Sequence, residues 1–563
     1  MSHRHPRAPL VLLFCITVLF ACDGAEPEPG SEEGRGPAPG TAGGASAASL
    51  GTLRFDTGCE RVAADHAARG LALLHHMTYL DAREAFVAAT ETDPGCTMGY
   101  WGQAMTIIHP LWPDVPDRAG LETGSEIVAR AKEHGVSSDR AGAYLATVEA
   151  YFRDGTARTE SERLASFDEA WRAVFERFPD DLEARSLYAL ARLGTVSPED
   201  KTYGRQYEAL DLLDDVLEAI PDHPGAQHYT IHARDYPPLA LEALDVARAY
   251  GRLAPDIPHA LHMPTHIYTR VGHWDESIDG NERSVESSWT RGQRMGGITT
   301  DFHHALDYLA YAHLQRAEDE KAGQIMDRAL AADGPWAAVN MPAIAYALAA
   351  IPARFALERR DWAAAAELTP GEPAGFPWDD RFAPFMAVTQ FAKALGGARG
   401  GRPEAARAAI EVLSGLSDQI SQTASDVYWQ RQVEVQLLAS RAWLAFETGD
   451  REDGLRAMRE AAALEARTEK HAVTPGEVVP ASELLGEMLL LAERPGEALA
   501  AFETALARSP GRLNGLAGAA RAAAGAGRRD LAADYYRQLL ELTAEADTER
   551  EAMTEARAFL ADR

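Results

Sequence analysis

From Leu53 onward the apolar residues of this chain recur with a helical period and almost nowhere alternate as they would in a strand. Alanine is abundant and β-branched alternation is sparse, so the pattern predicts helix after helix. Two stretches of it superpose. From Pro224 and again from Pro258 the chain reads as consecutive helix-turn-helix units of 34 residues. On that shift His228 falls on His262 and His232 on His266, each pair spaced i, i+4 and so on one helix face. The period breaks at 108–113, 195–203, 291–300, 370–380 and 468–480, which predicts loops there. Residues 23–51 are rich in Gly, Pro, Ser, Ala and Glu and cannot bury enough surface to order themselves.

Small residues and prolines stand at regular places within the helical pattern. They are Gly70, Ala82, Phe86, Ala89 and Pro94 near the start, and Leu485, Gly486, Leu489, Ala498, Phe502, Ala505 and Pro510 near the end, followed by Ala532 and Tyr536. These positions resemble the tetratricopeptide repeat family. The resemblance implies an all-α solenoid, a right-handed superhelix of helix-turn-helix pairs with non-repeat loops inserted. Eight to ten pairs are expected, with first helices side by side along a concave groove. It divides the chain into an N-terminal array over 53–345, degenerate repeats over 346–480 and C-terminal repeats over 481–563. The segments around GLALLHH, HALHMPTHIY and TEKHAVTPG also resemble exported bacterial repeat lipoproteins of unassigned activity.

Composition narrows the setting. A formal net charge of -30 over 563 residues argues against nucleic acid, and 46% hydrophobic content is ample for a buried core. His3, Arg4, His5 and Arg7 precede an apolar run from Ala8 to Ala21 that is too short to span a membrane. Its end, Leu19-Phe20-Ala21-Cys22, resembles the bacterial lipoprotein cleavage box. That resemblance implies a signal over 1–21, a lipid on Cys22, a tether over 22–52, and a soluble part in the periplasm or on the cell surface. The remaining cysteines, Cys59 and Cys96, are then most simply paired as a disulfide.

Candidate chemistry concentrates on the two superposed units. Ten of the sixteen histidines beyond Cys22 lie between residues 223 and 313. The groove positions of a tetratricopeptide array fall on His228, His232 and Asp235, then His259, His262, His266 and Arg270, then His304, Asp307 and Tyr311. An i, i+4 histidine pair can chelate, and two pairs on helices about 10 Å apart could converge on one ion. His228, His232, His262 and His266 are therefore the candidate metal set, for Zn, Cu, Ni or Fe, with Asp235 or Asp307 as orienting group or base. A groove that binds a protein, peptide or small ligand without metal is the leading reading of the same residues. Pro264 lies between His262 and His266 and could turn them apart. Neither H-E-x-x-H, G-x-S-x-G nor a phosphate-binding glycine loop is found, so the sequence leaves enzymatic activity open.

Overall fold

The computed structural model describes residues 50–562, apart from 113, 338–339, 424–426, 472 and the side chain of 423. The signal segment, Cys22 and the tether as far as residue 49 lie outside the described residues. The described residues form one compact unit. Its fold is all-α: twenty-five α-helices among the described residues, with a single β-bridge between Ile298 and Trp336. They succeed one another as twelve pairs and a closing helix, Glu551–Ala561, more than the eight to ten pairs expected. The extra pairs fall where signature small residues are not legible, and helices form there on apolar spacing alone.

Where the signature is legible it has a steric cause. The Phe86 ring lies against Gly70 on one side and Gly102 on the other, closer than any Cβ could come. Phe502 sits in the same way between Gly486 and Gly518. One aromatic ring thus fills the space that glycines leave on the helices before and after it. The units at Pro224 and Pro258 are also observed, as helices Pro224–Arg234 and Pro258–Val271, each with proline in its first turn. Helices Pro224–Arg234, Pro258–Val271, Thr300–Gln315 and Met341–Glu358 stand side by side, each packed on the next or next but one. The first helix, Arg61–His75, also packs on Pro224–Arg234.

Three expectations need correction. Residues 50–52 belong to the fold rather than the tether: Leu50 is buried, and the Thr52 hydroxyl donates to Asp222 at 2.7 Å. The insertion at 291–300 is helical to Met295, as the end of Trp274–Met295, and turns only at Gly296. The third concerns the concave groove, which is filled by the chain itself. The described residues of 468–480 form no helix, yet nearly all of them are buried. A buried loop must satisfy its polar groups. Here the Tyr308 hydroxyl donates to the Thr474 carbonyl at 3.0 Å, and Arg354 donates to the Gly476 carbonyl at 2.7 Å. The Lys470 ammonium reaches Asp235 at 2.6 Å.

Candidate metal centre

The ten residues of the predicted strip are all buried, at most 9% exposed, so they line an interior rather than an open groove. Six of them form two three-histidine clusters. His228 and His232 meet His259, and His262 and His266 meet His304, with one ring nitrogen from each ring lying within 4.8 Å of the other two. The expected tetrad is therefore split. His228 and His262 fall in different clusters, and each i, i+4 pair instead finds its third ring near the start of the next inner helix. Pro264 does not separate its neighbours: the Nε2 atoms of His262 and His266 are 3.0 Å apart.

For three of the six rings, hydrogen bonds outside the clusters decide which nitrogen is bare. His262 Nδ1 faces Asn281 Oδ1 at 2.7 Å, and the other end of that amide donates to the Ser277 carbonyl at 2.8 Å. His266 Nδ1 faces the Asp235 carboxylate at 2.9 Å. Both acceptors require Nδ1–H, so both Nε2 atoms carry lone pairs and point at each other. His228 Nδ1 likewise donates to the His75 carbonyl at 2.6 Å, and its Nε2 lies 3.2 Å from that of His232. His259 is buried with neither ring nitrogen hydrogen-bonded, its Nδ1 standing 3.6 Å from Asp301 Oδ1. Two donors on one ion at about 2.0–2.1 Å would lie about 2.9 Å apart at a right angle and about 3.4 Å apart at a tetrahedral one. The observed pairs fall in that interval.

Burial holds five of the six rings neutral. It pushes His228, His232, His262 and His304 well below the usual imidazole range, with neighbouring imidazoles adding to the effect. His266 is lowered to about 4, burial outweighing the opposing pull of Asp235. A shared proton is thus a poor bridge between His262 and His266, whereas neutral imidazole is the form that binds metal.

A third cluster shows the contrast. His75 and His223 both bond Glu183, at 3.1 and 3.2 Å, while His75 Nδ1 meets the Tyr229 hydroxyl and His223 Nδ1 accepts from the Ala226 amide. Every ring nitrogen there has a partner of opposite kind, so this is a closed hydrogen-bond network without a bare donor set.

The remaining strip residues serve other ends. Asp235 orients His266 and is itself held by Arg270 Nε at 2.9 Å and by Lys470. With its oxygens so engaged it holds the His266 ring in place and is not a free base. Asp307 pairs with Arg354, and the Tyr311 hydroxyl accepts from Arg512 at 2.7 Å, so both lie in buried ion networks rather than at the imidazoles. Sequence reasoning had His259 and His304 on the strip but outside the metal set, and it missed Asn281, Tyr308 and Lys470. Nothing in local spacing marks Asn281, on the second helix of its pair, or Lys470, which reaches Asp235 from the loop, whereas Tyr308 stands one turn beyond His304 on the same helix and its i, i+4 spacing was the available signal.

No protein-family model matches this chain, and no curated protein matches it. Among solved structures it is similar to the anaphase-promoting complex hetero-tetramer Cut9–Hcn1 (11% identity, 88% of this chain and 90% of that one, TM-score 0.31). It is also similar to yeast Tom70 (12%, 89% and 96%, TM-score 0.30) and to Ypp1 (10%, 88% and 87%, TM-score 0.37). Likenesses this remote bear on no functional residue.

Proposed function

We propose that this chain is a transition-metal protein that holds one ion in His228, His232 and His259 and a second in His262, His266 and His304. The carrying observation is the His262–His266 contact, where two lone pairs fixed by Asn281 and Asp235 face each other at 3.0 Å inside the fold. Such a pair is repulsive until a cation lies between them. The all-imidazole donor set suits Zn, Cu, Ni or Fe and not the oxygen-seeking Mg or Ca. Export to an oxidising compartment, with a lipid at Cys22, is proposed as the setting and is supported by the Cys59–Cys96 disulfide. Capture of a protein or peptide partner would use the outer faces of the repeats, since residues 468–480 occupy the space in front of the histidines.

The test is elemental mass spectrometry on protein purified without a histidine tag and offered each of the four metals. Two equivalents of one metal are expected, falling to one in His262→Ala and to one in His228→Ala, with helicity by circular dichroism unchanged. A wild-type chain that takes up none of the four metals would refute the proposal.

A further inference from the structure

The two triads share a cavity. It is bounded by His232 and His259 of one triad and His266 and His304 of the other, with Trp112 and Met263 also on its wall. The room it leaves for the centres of water-sized molecules is ≈ 20 Å³. One water needs roughly 10–15 Å³ on that measure. An organic substrate does not fit, but one diatomic molecule does. The triads are also close to each other: His232 and His266 have ring centroids 6.3 Å apart, as do His259 and His262. Three protein donors on each ion leave a coordination position open, as reacting sites do and closed structural sites do not.

Resting on the metal reading above, we infer that the triads form a dicopper centre whose small ligand is dioxygen, bound between the ions in the shared cavity. The donor set favours copper over iron or manganese pairs, which helical proteins hold with bridging and terminal glutamates. Each triad is supplied by imidazole alone, a donor that suits copper, and unlike zinc, which has no redox chemistry, copper can give electrons to dioxygen. The nearest carboxylate on the cavity wall, Asp301, faces His259 Nδ1, and Asp235 is spent on His266, Arg270 and Lys470.

The step balances within the site. Two Cu(I) ions each give one electron to O2, becoming two Cu(II). The O–O bond order falls from two to one, copper–oxygen bonds form at the open positions, and a bridging peroxide results. No proton enters and no group leaves. The centre carries the same net charge before and after, since dioxygen enters neutral, so this buried cavity does not have to accommodate an added charge.

The experiment loads the full chain with Cu(I) under anaerobic conditions and then admits dioxygen, following copper content, oxygen uptake, optical absorption and electron paramagnetic resonance. Two copper ions per chain, one O2 consumed per two copper ions, an intense new charge-transfer band and a silent paramagnetic spectrum are expected. His304→Ala should keep the copper of the first triad and lose oxygen uptake, with helicity intact. Two bound copper ions that take up no oxygen, or that oxidise to two separately visible Cu(II) signals, would overturn the inference and leave the metal reading standing. A chain that binds no copper but two equivalents of another metal also overturns it. Failure to bind any metal removes the metal reading itself.

Discussion

Asn281 is the residue on which the tautomer of His262 depends. Its Oδ1 holds His262 Nδ1–H while its Nδ2 is tied to the Ser277 carbonyl, so the amide cannot turn to offer a donor instead. Outer partners of this kind fix ring orientation and raise ligand basicity. Asn281→Ala should therefore weaken ion binding in the second triad by about 10- to 100-fold. Competition against a chelator of known affinity reads this directly. An unchanged affinity would show that the ring needs no such anchor. The sequence pointed to His262 by its repeat position. It could not point to Asn281, which comes from the second helix of the pair and meets the ring only when the two helices pack.

At the scale of the element, the segment 468–480 is the feature that changes the character of the groove. It is anchored by Arg354, which is fully buried on helix Met341–Glu358 and pairs with Asp307 while donating to the Tyr346 hydroxyl at 2.9 Å and the Gly476 carbonyl. Burial pushes the Asp307 carboxyl up and the guanidinium offsets this only in part, so the pair depends on both partners. Arg354→Met leaves that carboxylate without its counter-charge and should cost about 3–5 kcal/mol in chemical denaturation. Arg354→Met combined with Asp307→Leu should recover much of the loss. If the double variant is no more stable than the single, the cost lies in the carbonyl and hydroxyl bonds of the segment instead. The loop was legible as an interruption of the helical period. That it runs inward was not, because its polar groups are satisfied by side chains on three distant helices.

For the whole molecule, the Cys59–Cys96 disulfide closes a sequence separation of 37 residues around the first helix pair. Loss of that constraint on the unfolded chain predicts a decrease of about 3–4 kcal/mol for the Cys59→Ser, Cys96→Ser protein. Its metal content should not change, since the bridge joins the starts of two helices and leaves the inner face alone. A stability loss near zero would mean that the unfolded chain is already compact in this region. The sequence by itself determined the helical class, the repeat frame at Pro224 and Pro258, the small residues around Phe86 and Phe502, and the placing of two histidines on one face of each inner helix. All of these follow from local periodicity and from the few side chains that allow helices to approach closely. Only the tertiary structure decided that His259 and His304 complete two separate triads, that Asp235, Asn281 and the His75 carbonyl fix their tautomers, and that the chain's own loop buries them. Those outcomes depend on contacts between residues far apart in the chain, 235 positions in the case of Lys470 and Asp235, and no spacing along the chain records them.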